Sequence, residues 1–209
     1  MIYVLQVRTG MESETVSFID TLVDHETYRD VYFPTRVMRK KFHGHWQEVQ
    51  EKLLPGYIFI DTDNIKDMSL SLKKVPRLTK ALGRDEDNEF FGQELSKSDE
   101  RWLRQVMGGR ESQYMDPILR GKVGLTLVEV DEENHVKILE GPMQNMEGNI
   151  LHYDLHRRFA DIEVEFMGQR TIIHLGIVIK GKDTDMRGED EGEEKPEPED
   201  SKNSYSKRH

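Results

Sequence analysis

The sequence predicts an α+β chain in two parts: an antiparallel sheet carrying helices in ferredoxin-like order, then a small β-barrel. Three observations predict this. Apolar spacing from Ile2 to Leu82 switches between period two and helical period in the order strand, helix, strand, strand, helix, strand. From Val136 to Ile179, short alternating runs follow one another with close turn signals. Between the two lies Gly108-Gly109-Arg110 and a polar stretch, Glu111 to Arg120, that fits neither pattern. The expected division is 1–108 for the sheet and helices, 109–120 for a linker, 121–182 for the barrel and 183–209 for a tail.

Ile2 to Val7 reads as the first strand. Thr9-Gly10-Met11-Glu12 has the spacing of a capping box, with Thr9 as cap and Glu12 reaching back. Val16, Ile19 and Val23, with Phe18 and Leu22, recur at helical spacing, so a helix runs over roughly Met11 to Asp24. Val31-Tyr32-Phe33 is a strand stopped by Pro34. RKKFHGHW, within Arg36 to Trp46, is a basic segment around a Gly turn and reads as a hairpin or loop. The densest apolar run follows: Leu53-Leu54, a Pro55-Gly56 break, then Tyr57 to Ile60 as a strand. Side chains alternate along a strand, so Tyr57 and Phe59 share one face and Ile58 and Ile60 the other. Helices cover one face of such a sheet; the other is expected to be solvated or to meet a partner. Ile65, Met68 and Leu72 mark a second helix, Leu78 to Leu82 a fourth strand, and Ser96 with Asp99 the start of a helix carrying Trp102, Leu103 and Val106.

In the second part Val136 and Ile138 alternate, and Glu140-Gly141-Pro142 is a turn. Gly148 reads as a bulge or a close backbone approach. Ile150 to Tyr153 and Ile162-Val164-Phe166 are strands; after the Met167-Gly168-Gln169 turn come Thr171 to Leu175 and Ile177 to Ile179. Gly121 to Val130 fits either a strand or the linker. Past Lys182 the run EDEGEEKPEPED has no apolar period and reads as a disordered, solvating tail.

Composition narrows the function. The chain has 209 residues, no cysteine and a hydrophobic fraction of 35%, which excludes a disulfide framework and thiol chemistry. No run approaches the ~20 apolar residues of a membrane helix. The start lacks the basic lead of a signal peptide, so a soluble cytoplasmic protein is expected. His43 and His45 have no third placed ligand, and Gly108-Gly109 lacks the Lys-Ser/Thr of a phosphate loop. No nucleophile or carboxylate pair stands out. An enzyme, a metal and a cofactor are therefore not expected. Net charge is −10, but Asp183 to His209 holds 10 acids against 5 bases. Elsewhere bases cluster in three groups: Arg36, Arg39, Lys40, Lys41; Lys73, Lys74, Arg77, Lys80, Arg84; and His156, Arg157, Arg158, flanked by Tyr153 and Phe159. Bases interleaved with aromatics in a barrel loop suit RNA.

These segments together resemble the NusG family of transcription elongation factors. YVLQVRTGMESETVSFI, FPTR, KLLPGYIFI, VPRLTKALG and ELSKSDERWLRQVM stand in the family's order and spacing. VKILEGPMQNMEGNI is similar to its KOW motif and EVEFMGQRTIIHL to the hairpin after it. The resemblance implies an NGN domain seated on the clamp of RNA polymerase and an SH3-like KOW barrel that recruits other factors. It places Tyr57 and Phe59, with Leu54 and Leu82, against the clamp, and Phe166 against a partner. Ala81 stands where the family often has an aromatic. Arg39, Lys40, Lys41, Lys73, Lys74 and Arg77 are the expected nucleic-acid contacts of the first domain, upstream DNA among their targets. The paired arginines of YDLHRRFADIEVEF are similar to LoaP, a specialised antitermination paralogue that acts with leader RNA. That similarity assigns His152, Tyr153, His156, Arg157, Arg158 and Lys180 to a leader RNA hairpin. A general elongation factor and a ribosome-associated KOW protein are the alternatives. A monomer, away from membranes, is expected.

Overall fold

The computed structural model describes residues 1–73, 93–107 and 121–183. The first part is built on β1 (Ile2–Gln6), β2 (Asp30–Tyr32), β5 (Tyr57–Asp61) and β6 (Gln93–Glu94), hydrogen-bonded in the order β2-β5-β1-β6. All pairings are antiparallel, with Val4 opposite Phe59 and Leu5 opposite Ile58. This is the ferredoxin-like order. The strand expected over Leu78 to Leu82 lies outside the described residues. Beside β1 stands β6, which the sequence pattern did not announce because two polar residues carry no period.

Two helices, α1 (Glu12–Leu22) and α2 (Ile65–Lys73), cover one face of this sheet. Ile58, Ile60, Leu5 and Val7 meet Ile19, Val23, Met68 and Leu72 there, all nearly inaccessible. Burying each such side chain contributes roughly 1.5–3 kcal/mol. The third helix, α3 (Lys97–Val106), starts as expected, with Ser96 Oγ accepting the Asp99 amide at 3.1 Å. It packs on the other side, however, with Leu103 and Val106 in the cluster that holds Val4 and Phe59.

The capping box at α1 does not form. Met11 occupies the cap position and makes no side-chain cap bond. Glu12 is fully buried and turns instead to Gly56, whose amide donates to Oε1 at 2.7 Å; Gly10 donates to Oε2 at 2.9 Å and Lys52 forms an ion pair. Gly56 sits at φ +86, with Thr9 Oγ1 and Val7 O close to where a Cβ would stand. The β5 turn thus offers the carboxylate an amide that a local capping reading cannot see.

Burial pushes the Glu12 carboxyl up, but the Lys52 hydrogen bond and the Gly56 amide outweigh it and hold it below the ordinary range. A depressed carboxyl stabilises the fold at pH values above the unfolded carboxylate range. That contribution is lost as pH falls through the depressed value. Glu12→Gln is expected to cost roughly 2 kcal/mol at neutral pH. Urea melts should show wild type losing more stability than the variant between neutral and acidic pH.

The second part comprises β8 (Thr126–Val130), β9 (Val136–Glu140), β10 (Ile150–Asp154), β11 (Phe159–Phe166) and β12 (Gln169–Ile179), in the order β10-β11-β12-β8-β9. β11 alternates strictly: Ala160, Ile162, Val164 and Phe166 point into the core. Thr171 to Ile179, read as two strands, is one. The close backbone approach lies at Gly141 (φ +116), where a Cβ would stand 2.8 Å from Leu125 O; Gly148 has open space, so that expectation is corrected. The ambiguous stretch splits: β7 (Lys122–Val123) runs parallel to β3 (Thr35–Phe42), and β8 joins the barrel.

Candidate nucleic-acid interface

The basic segment RKKFHGHW folds into a hairpin of β3 and β4 (His45–Lys52), paired from Thr35–Lys52 to Phe42–His45. His43 and Gly44 form the two-residue turn, both at positive φ (+48 and +91), the geometry that matches strand twist. The hairpin lies against β12. At Gly176 a Cβ would stand 2.5 Å from Val37 O and 3.3 Å from Met38 Cα, so only glycine lets the two backbones meet. Arg36 Nη1 donates to His174 O at 3.0 Å across the same contact.

On the barrel side, the turn between β10 and β11 is set by its own backbone. Asp154 Oδ1 accepts the Arg157 amide at 2.8 Å, and Arg158 sits at φ +63. The turn faces the hairpin, with residues of both lining one cleft. Between them lies a cleft of about 650 Å³, with Arg39, Lys40 and Lys41 in one wall and His156, Arg157 and Arg158 in the other. Two basic groups more than a hundred residues apart thus share one site.

The two arginines of the turn have different jobs. Arg157 is 75% exposed, with Asp154 3.8 Å away. Arg158 is only 14% exposed, contrary to the expectation of two free side chains. Its Nε donates to Asp183 Oδ2 at 2.8 Å and its Nη2 to Oδ1 at 3.2 Å. Arg39 Nη1 reaches the same Oδ1 at 3.4 Å. Both guanidiniums lie over Trp46, at 5.0 Å for Arg158 and 5.7 Å for Arg39. Asp183, read as the first tail residue, is buried and also accepts the Ile179 amide at 2.8 Å. It is part of the barrel and of the hairpin contact.

Glu51 is the one carboxylate in the cleft wall among the described residues. Lys40 at 2.6 Å and Arg36 at 3.1 Å bind it. The Lys40 hydrogen bond holds its carboxyl below the ordinary range against partial burial, with Arg36 adding to the effect. Lys41 is exposed and makes no ion pair among the described residues. Of the other residues assigned to RNA, Lys180 pairs with Glu129 at 3.1 Å, Tyr153 packs partly into the core, and His152 is exposed on β10; none of them lines the cleft. Lys73 ends α2; Lys74, Arg77 and Leu82 lie outside the described residues.

The Tyr57–Phe59 face is not open. Phe166 packs edge-on against Tyr57 at 5.1 Å and lies 6.2 Å from Phe59 and from Trp102. Phe59, Leu54 and Phe166 are all nearly inaccessible. Trp102 Nε1 donates to Glu165 O at 3.0 Å and Gln105 Nε2 to Gln144 O at 2.9 Å. The partner of Phe166 here is the chain's own sheet, and the apolar face expected to await a partner is covered by the barrel. Periodicity marks a face as apolar without saying what covers it.

Residues 2–95 match the family model described as transcription termination factor NusG. Proteins named transcription termination/antitermination protein NusG are similar along most of the chain. The one from Helicobacter pylori is 22% identical over 178 residues, covering 83% of this chain and 93% of the relative. Those from Halalkalibacterium halodurans and Haemophilus influenzae are each 22% identical over 177 residues, covering 83% of this chain and 93% and 89% of theirs. Residues 2–95 are thus similar to the NusG family, and the chain resembles NusG proteins along most of its length.

Proposed function

We propose that this chain is a transcription termination/antitermination factor of the NusG type, without enzymatic activity. In this reading it binds the RNA polymerase clamp through the Tyr57–Phe59 face and a leader RNA hairpin through the basic turn of its KOW-like barrel, as a LoaP-like specialised factor. The observation that carries the RNA half is the convergence of Arg39, Lys40 and Lys41 with His156 and Arg157 on one cleft. Arg157 and His156 stay reachable whether or not the barrel is docked, because both are exposed at its turn. Clamp binding has a precondition: Phe166 must leave before another protein can occupy the face it covers.

Titration of the whole chain against leader RNA hairpins tests the RNA half. Arg157→Ala should weaken binding several-fold, and wild-type binding should fall with salt by a log-log slope of roughly −0.7 per phosphate contact. Arginine suits this place because its planar guanidinium both pairs with phosphate and stacks on bases. Unchanged binding by Arg157→Ala, or insensitivity to salt, removes the turn from RNA recognition. The second reading is then a general elongation and termination factor whose barrel binds proteins. The relatives' names include termination as well as antitermination.

A further inference from the structure

We infer that the cleft between the β3–β4 hairpin and the barrel binds a nucleotide, and that the bound nucleotide fastens the barrel onto the Tyr57–Phe59 face. This goes beyond the leader RNA reading and does not rest on it.

The charge of the cleft calls for an anion. Six cationic side chains line it: Arg36, Arg39, Lys40, Lys41, Arg157 and Arg158. Against them stand Glu51 in the wall, Asp183 behind it, Asp154 beside Arg157 and Asp161 on the lining His174, which leaves a surplus of two positive charges. The surplus sits at the mouth. Lys41 has no carboxylate partner among the described residues, and Arg157 has only a distant one. Deeper in, Arg36 and Arg39 each keep a buried Nε–H that meets no acceptor among the described residues. Buried donors in folded proteins normally find acceptors, so this wall holds more donors than the described residues supply acceptors for.

The anion is not a bare one. Met38, Trp46 and Phe159 give the same cleft apolar walls, and its 650 Å³ falls within the roughly 300–1,000 Å³ of small-molecule pockets. A flat ring beside phosphate matches a cleft lined by both apolar and cationic side chains. The guanidinium and ammonium groups at the mouth suit phosphate oxygens. Because one wall is the hairpin and the other the barrel, a ligand touching both binds only the docked arrangement. By linkage it stabilises that arrangement and opposes any partner that needs the sheet face.

The test uses the whole chain and calorimetric titration with ADP, inorganic pyrophosphate and a uridine trinucleotide. ADP should bind, and pyrophosphate should bind about fivefold more weakly for want of a ring. The double variant Lys41→Glu/Arg157→Glu should weaken ADP binding by about tenfold or more, while Lys180→Glu, away from the cleft, leaves it unchanged. Both altered side chains are exposed, so the fold survives the change. Gly176→Val, which separates hairpin from barrel, should lose ADP binding, while leader RNA binding is weakened by the loss of the β3–β4 hairpin's basic side chains but persists through the exposed His156 and Arg157 of the turn. Loss of RNA binding alone therefore strikes the RNA reading and leaves this one standing. Trinucleotide binding in place of ADP, abolished by the same double variant, assigns the nucleotide to an RNA strand rather than to a free nucleotide. Absence of binding by both, survival of binding in the double variant, or pyrophosphate binding as tightly as ADP would overturn the inference.

Discussion

Gly176→Val should release the barrel and tighten binding to RNA polymerase by about tenfold or more, because a docked and covered face taxes the apparent affinity by the fraction that is open. The substitution puts a side chain where Val37 O and Leu125 Cδ2 already stand, each 2.5 Å from the Cβ position. The Leu125 end can swing aside. The Val37 carbonyl is backbone in a paired hairpin and cannot move without breaking the β3–β4 register. Gly176 lies within β12, opposite Phe159, so the added side chain meets the hairpin across the barrel's outer surface. Phe166→Asp attacks the same contact from the other end. It puts a charge among Tyr57, Phe59 and Trp102, where burial without a partner is costly. Both variants should raise polymerase affinity in direct titration. Phe59→Ala, made in the released background, should then weaken it, by roughly 2 kcal/mol if Phe59 is an anchor. If both release variants leave polymerase binding unchanged while Trp102 becomes more exposed than its half-buried docked state, the clamp binds elsewhere.

Asp183→Ala should destabilise the docked chain by about 3–5 kcal/mol, the cost of stranding a buried partner. Its carboxylate serves Arg158, Arg39 and the Ile179 amide at once. Arg158 and Arg39 are 14% and 10% exposed, so neither finds water in compensation. Two deletions make the comparison sharp. Removing 184–209 should leave the urea midpoint where it is, since that stretch has few apolar side chains to bury. Removing 183–209 should lower it, and Asp183→Asn should fall between the two because the amide keeps the shape and one acceptor. Identical midpoints for both deletions would show that the carboxylate contributes nothing. Composition groups Asp183 with the acids that follow it; only its neighbours in space separate it from them.

Periodicity determined most of the first part. Alternation in Tyr57 to Ile60 and the 3–4 spacing of Val16, Ile19 and Val23 are local signals, and burial reproduces them: Ile58 and Ile60 do face α1 and α2. Turn chemistry was equally legible, since Gly44 and Gly168 occupy hairpin turns whose backbone needs positive φ. The basic character of Arg36 to Lys41 and of His156 to Arg158 could also be read directly. Their meeting could not, because it depends on where two turns point and on one glycine that admits the hairpin. The same limit explains Glu12, whose partner Gly56 is 44 residues away, and Arg158, whose charge is spent on Asp183. What a residue is and which face it shares follow from the chain's local geometry. What covers that face, and which charges remain free, depend on contacts between distant segments that only the tertiary structure brings together.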